Sequence, residues 1–258
     1  MIVNGVTERE RANNYWRLRG GRREVSYDLF EPPKGSSYLP VIKALAKLHQ
    51  EEQQPVKNTE NSEVYLTKAY QRSLTELLQY ARDLLERRLV NDFERLYVES
   101  VTAFYERGQE AVQKMILAGY STADSCKVRP LIGNFLPENI VNTEAGVVFL
   151  NSLTDFQGFA VHDLTLFLKM YLPLQNWEVG LAQEILASYE DIAGLNIKEK
   201  QMLLAELSFP GRYYLYAEQY FSGAEDPLTL VTPLKNYFLE VDQQDYCLEQ
   251  LGNWLWGE

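Results

Sequence analysis

Apolar residues recur at intervals of three and four along most of this chain, and this period predicts a mainly helical fold. The pattern is clearest over residues 62–89 and 92–118, which we predict to be two long amphipathic helices. Because only a short connection separates them, we expect them to pack as an antiparallel pair. The apolar positions of the first are Leu66, Tyr70, Leu74, Leu77, Leu78, Ala81, Leu84 and Leu85.

Shorter apolar repeats on both sides of this pair predict further helices. One would be capped by Ser36 or Ser37 and end at Gln50, whereas the polar residues 51–62, EEQQPVKNTENS, are typical of a loop. The others are predicted at 161–171, 177–189, 197–208, 210–221 and 242–256, bounded by Pro173, Gly194, Pro210, Gly223 and Pro227.

Short strands are predicted at 127–132, 139–141 and 146–150, and residues 142–146, NTEAG, would form the turn of a β-hairpin between the last two. These strands are brief compared with the helices around them. The expected fold class is therefore α+β, mainly helical, with a short β-hairpin region.

Residues 128–141, VRPLIGNFLPENIV, carry the most informative spacing in the chain. In kinase-like phosphotransferases a short strand leads into H-G-D-x-x-x-x-N. The Asp takes the proton of the acceptor hydroxyl, the Asn holds Mg²⁺, and a second strand delivers a metal-binding Asp. In this chain the same slots hold Ile132, Gly133, Asn134, Asn139 and Asn151.

Gly133 and Asn139 keep the spacing of this motif, and Asp163 follows in HDLTLFL. Together with the segments VIKALAKLHQ (41–50), NWEVGLAQEILASYEDI (176–192) and LLAELSFPGRYYLYAEQYF (203–221), they make the chain resemble the CotS-type spore coat proteins. That family lies within the aminoglycoside phosphotransferase and choline kinase-like superfamily. The resemblance extends over roughly residues 15–255.

The resemblance implies a protein-kinase-like large lobe at residues 36–258, preceded at 1–35 by the remnant of a truncated small lobe and its hinge. No Gly-rich loop or strand lysine of an intact small lobe is visible in this segment. The resemblance also implies synthesis in the cytoplasm, a place in the spore coat, and other coat proteins as partners. Asp163 would brace the loop above it by accepting hydrogen bonds from backbone N–H groups.

The catalytic groups themselves are missing from the matching positions. Asn134 is an amide with no basic site for the proton, and Asn139 and Asn151 would offer Mg²⁺ only neutral oxygens. Asp155 is either a displaced metal ligand or, as is common for Asp, a turn residue in LTDFQGF. We therefore predict no catalytic residue, no metal site and no cofactor.

Two functions remain open at this point. The favoured one is a non-catalytic kinase-like protein, a pseudokinase, that serves as a binding or assembly module. The alternative is an ATP-dependent small-molecule phosphotransferase, which would require ATP and Mg²⁺.

The two histidines and a run of aromatic residues each have two interpretations. His162 beside Asp163 suggests an acid–base pair, but adjacent helical residues point to different sides, which favours capping or packing. His49 is interpreted as a helix-end histidine with no further role. The tyrosines at 213–220 either line a groove or, more typically for helical spacing, belong to the core.

Composition narrows the classes of partner. A formal net charge of −11 and a pI near 4.9 argue against nucleic acid or an anionic membrane surface. Two cysteines, Cys126 and Cys247, imply no disulfide framework, and no stretch approaches the roughly 18 apolar residues of a membrane span. We expect an intracellular protein with protein partners, and a homo-oligomer if the large lobe exposes an apolar face.

Overall fold

The structure is a computed structural model that describes residues 38–50, 62–119, 128–133, 135, 139–144, 146–150 and 157–257. The segment 1–35, predicted to be a small-lobe remnant, lies outside these residues, and so do Asn134, Asn151 and Asp155.

Helices dominate the described part of the chain, which confirms the mainly helical α+β class. The helices are α1 (Tyr38–Gln50), α2 (Ser62–Leu85), α3 (Asp92–Leu117), α4 (Ala160–Tyr171), α5 (Val179–Glu190), α6 (Ile197–Ser208), α7 (Gly211–Phe221) and α8 (Pro227–Trp256). A 3₁₀ turn at Pro173–Gln175 joins α4 to α5. The strands are β1 (Val128–Pro130), β2 (Ile140–Thr143), β3 (Gly146–Phe149) and β4 (Gln157–Phe159).

Helices α2 and α3 pack against each other, as the apolar pattern predicts. The Tyr97 hydroxyl donates to the Leu77 carbonyl across the pair, at 2.7 Å. The Leu74 side chain also packs directly on the backbone of Gly108, where an added Cβ would stand 2.3 Å from a methyl carbon of Leu74. A larger residue at position 108 would therefore require the Leu74 side chain to move.

Helix α2 ends at Leu85 rather than at the predicted residue 89, because the connection to α3 has its own hydrogen bonds. The buried carboxylate of Glu94 accepts from the backbone N–H of Val90 at 2.7 Å, from Arg87 at 2.5 Å and from the Tyr220 hydroxyl at 2.5 Å. Burial alone would raise the pKa of Glu94, but these donors lower it below its ordinary value.

The four strands form two antiparallel pairs. β2 and β3 make the expected hairpin, with Thr143 opposite Gly146, whose φ of 122° favours glycine. β1 pairs with β4, so that Val128 lies opposite Phe159. β4 was not predicted, because three residues carry no readable period. It leads directly into α4 and so brings the first turn of α4 close to β1.

The prediction for the last helix was wrong about its start: α8 begins at Pro227, not at residue 242. Pro227 was interpreted as a boundary, but proline is favoured in the first turn of a helix. The Asp226 side chain caps this end by accepting from Leu228 N–H at 2.8 Å. Pro233 lies inside the helix, and Cys247 is buried there as a free thiol.

One hydrophobic core joins the helices. α6 packs against α3, α4 and α8, while α1 packs against α5. Among the described helices, none combines the length and apolar character that crossing a membrane requires.

Candidate functional site

A carboxylate in the first turn of α4 holds the loop that follows β1. Asp163 is fully buried; its Oδ2 accepts from Ile132 N–H at 2.6 Å and its Oδ1 from Gly133 N–H at 2.8 Å. Gly133 has a φ of 62°, a left-handed conformation that suits glycine. The backbone at 132–133 is therefore tied to α4 by two hydrogen bonds.

Asp163 has a further partner from a helix that is distant in sequence. His49 at the end of α1 is 1% exposed, with Nε2 3.3 Å from Asp163 Oδ2 and Nδ1 2.8 Å from the Tyr189 hydroxyl. A carboxylate only accepts, so Nε2 carries the hydrogen, and in the neutral ring Nδ1 accepts from Tyr189. Burial, helped by the charges of Glu199 and Asp163, raises the pKa of Tyr189 and keeps it a donor.

The interpretation of His49 as a helix-end residue with no further role is wrong. It connects α1 to α4 and α5, and its backbone carbonyl accepts from Arg129 Nε at 2.7 Å, which adds β1 to the same cluster. The sequence contained a signal for this. His49 lies four residues after Leu45 and therefore on the buried face of α1.

His162 does not pair with its neighbour Asp163. Its ring is buried and its Nδ1 lies 2.5 Å from Glu206 Oε1 on α6, while Asp163 faces the loop. Glu206 also accepts from the Tyr70 hydroxyl at 2.8 Å. Of the two roles expected for His162, packing fits these contacts; the N-cap of α4 is Phe159, which makes no side-chain capping bond.

Apolar side chains surround the braced loop. Ile132, which stands in the histidine slot of H-G-D, is 2% exposed and belongs to the hydrophobic core, and Leu131 is also buried. Phe135 is fully buried and meets the rings of Phe149 and Phe167 edge-on, at 6.0 and 5.9 Å between ring centroids. The described side chains of the loop are thus packed into the hydrophobic core.

The polar positions of the kinase-like motif are only partly described. Asn139 is 4% exposed, and its backbone carbonyl accepts from Leu150 N–H at 2.7 Å, next to the β2–β3 hairpin. Asn134, Asn151 and Asp155 lie outside the described residues, so nothing in the structure tests whether they converge on Asn139. Within residues 38–257, where the chain is described, no group of three His, Cys, Asp or Glu side chains is arranged to hold a metal ion.

The tyrosines of α7 belong largely to the core. Tyr213 is fully buried, stacks on Phe104 at 4.2 Å between centroids, and donates to the Tyr97 carbonyl at 3.0 Å. Tyr216 is 5% exposed. These contacts favour the core over a groove for both residues.

The whole arrangement is similar to a solved structure. A crystal structure of aminoglycoside phosphotransferase from Alicyclobacillus acidocaldarius subsp. acidocaldarius DSM 446 matches with a TM-score of 0.69 at 18% sequence identity. The match covers 85% of this chain and 66% of that protein. The chain has a kinase-like fold.

No family model matches this chain, and no curated protein matches it. The kinase-like fold expected from the spacing of 128–141 is thus supported by structural similarity. The narrower assignment to the CotS-type proteins and the truncation of the small lobe stay predictions.

Proposed function

We propose that this kinase-like protein is a pseudokinase, a non-catalytic member of its fold that serves as a binding or assembly module. The observation that carries the proposal is the loop after β1. Asp163 holds the backbone of Ile132 and Gly133 in place, and the next residue, where a phosphotransferase has its catalytic Asp, is Asn134.

Loss of one group would not be enough for this conclusion. Phosphoryl transfer depends mainly on positioning and electrostatics, and a missing general base costs about 10²- to 10⁴-fold in rate. The metal positions strengthen the case, because Asn139 and Asn151 replace the Asn and Asp pair by two amides. A hard cation beside phosphates is ordinarily held by at least one carboxylate.

Burial of Ile132 points in the same direction. In the H-G-D motif the first position is polar, whereas this side chain packs in the core with Phe135 nearby. Retention of the brace together with loss of the base is what we expect when a fold is kept for its shape and its surface. Selection for turnover would require the chemical groups as well.

We predict that the purified protein gives no binding heat with ATP or a non-hydrolysable ATP analogue, with or without Mg²⁺, in isothermal titration calorimetry. The same titrations on Asn139→Ala and Asp155→Ala should also give no binding heat. Thermal unfolding of each variant shows that it is folded, which matters for Asn139 because it is buried.

Metal-dependent heat in the wild type that disappears in either variant would contradict the proposal. It would mean that the degenerate site still binds a metal–nucleotide complex, with Asp155 as the missing carboxylate if the heat is lost in Asp155→Ala, and it would favour the alternative of an ATP-dependent small-molecule phosphotransferase. A substrate screen would then be the next step.

For the cellular setting we propose the spore coat, with other coat proteins as partners. This part is supported by the resemblance of residues 15–255 to the CotS-type proteins. Quantitative mass spectrometry of purified spores should detect the protein in the coat fraction. Its absence from spores would contradict the proposed location in the spore coat, but it would not affect the pseudokinase proposal.

A further inference from the structure

The last helix has an outer face that the other described residues do not cover. α8 has 30 residues and is therefore about 45 Å long. Its inner face is buried through residues such as Leu234, Cys247 and Leu251. On the outer face Leu239 is 71% exposed and Tyr246 60% exposed. These two residues are two helical turns apart and lie on the same side of the helix.

Charged residues extend the same stripe in both directions. Lys235 lies one turn before Leu239, Glu249 one turn after Tyr246, and Asp242 between them, all exposed. None of these three makes an ion pair with another described residue. The acidic residues on the flanks of the helix differ, because Asp245 pairs with Arg107, and Glu240 with Arg212.

We propose that this stripe is a self-association surface on which two copies of the chain pack antiparallel through α8. A two-fold axis between Asp242 and Gln243 places Leu239 of one copy against Tyr246 of the other, on both sides of the axis. The same arrangement brings Lys235 level with Gln250 of the other copy and within one residue, about 1.5 Å along the helix axis, of its Glu249. The inference is independent of the function proposed above.

The order of the residues selects this direction. In a parallel pair each residue would face its own equivalent, so that Lys235 would meet Lys235 and Glu249 would meet Glu249, and both contacts are repulsive. Reversing one helix turns both into contacts between opposite charges. A two-fold contact of this kind is isologous and closes after two copies, so it predicts a dimer and no larger assembly.

The expected dimer is weak. The stripe between Lys235 and Glu249 is about 21 Å long, which places the contact at the small end of specific interfaces. The two Asp242 carboxylates come near each other at the axis, and each copy carries a net charge of −11. Both effects oppose association, most strongly at low ionic strength.

Sedimentation velocity from about 1 to about 200 µM protein tests the proposal, a range chosen for a dissociation constant in the micromolar region. We expect the wild type to change from monomer to dimer across this range and Leu239→Glu to stay monomeric. Ile197→Glu is the matched control, because Ile197 is 66% exposed but lies on α6. It should leave the dissociation constant unchanged.

Charge reversal tests the direction of packing. Lys235→Glu and Glu249→Lys should each weaken the dimer at least threefold, and the double variant should restore it, since the opposite charges then face each other again. Asp242→Asn should strengthen the dimer by removing the repulsion at the axis.

Three results would overturn the proposal. The first is a wild type that remains monomeric at every concentration, and the second is an Ile197→Glu variant as impaired as Leu239→Glu. The third is a double charge reversal that fails to restore association, which would exclude the antiparallel contact even if a dimer forms.

Discussion

Asp163→Ala is expected to lower the free energy of unfolding by about 3–5 kcal/mol, the largest loss from any single side chain of the loop site. The carboxylate is fully buried and has two backbone N–H donors, from Ile132 and Gly133, in addition to the His49 ring. Its removal leaves these donors without an acceptor in a region that excludes water, and each unsatisfied donor costs about 1–3 kcal/mol.

Urea unfolding followed by circular dichroism measures this loss. Asp191→Ala is a suitable control, because Asp191 is exposed at the end of α5 and its substitution should change stability by less than about 0.5 kcal/mol. Asp163→Asn should recover only part of the loss, since the amide keeps one acceptor oxygen but turns an NH₂ group towards a donor. A loss below about 1 kcal/mol for Asp163→Ala would show that the loop is held by other contacts.

The second large effect has the opposite sign: Lys169→Met should stabilise the protein. The Lys169 ammonium nitrogen is buried and makes no hydrogen bond among the described residues. It lies 5.8 and 6.0 Å from the ring centroids of Phe209 and Tyr70, at the limit of useful cation–π contact. Burial lowers the pKa of Lys169 from 10.5 to about 8, although the charge of Glu206 acts in the other direction.

The sign of the pH dependence follows from this lowered pKa. Below pH 8 the side chain is protonated in both states, so the folded state carries the full desolvation cost. Between pH 8 and 10.5 the unfolded chain binds more protons than the folded chain, and the contribution of Lys169 to stability therefore improves as pH rises. Methionine is close to lysine in shape and avoids the cost at every pH.

We expect Lys169→Met to raise the free energy of unfolding by about 2–3 kcal/mol at pH 7, with the advantage shrinking towards pH 9.5. Urea titrations at several pH values measure both features. Lys43→Met, an exposed position on α1, should show neither. A destabilised Lys169→Met variant would mean that the ammonium contributes more through Glu206 and the aromatic rings than its burial costs.

The helices were largely predictable because their signals are local. The period of three and four identified α2 and α3, and the hairpin of β2 and β3 followed from the turn residues before Gly146. Two elements were missed for physical reasons. β4 has three residues and exists through its pairing with β1, about thirty positions earlier. The first half of α8 was hidden by Pro227, which a helix tolerates in its first turn, and by Pro233, which lies inside the helix.

The candidate site was less predictable, because its contacts join residues that are distant in sequence. His49 and Asp163 are separated by 114 positions, and no local pattern indicates that they meet. The spacing of 128–141 indicated where the loop belongs, but the partners of Asp163 depend on how α1, α4 and α5 pack.

The sequence by itself determined most of the helical spans and the amide at position 134, since both depend on residue identity and local spacing. Only the tertiary structure decided that His49 supports the loop, that the Lys169 ammonium group is buried away from water, and that Leu239 and Tyr246 face outward. Burial and hydrogen-bond partners depend on how the elements pack. The helical period of a sequence shows which face of a helix is apolar, but it does not show which element will cover that face.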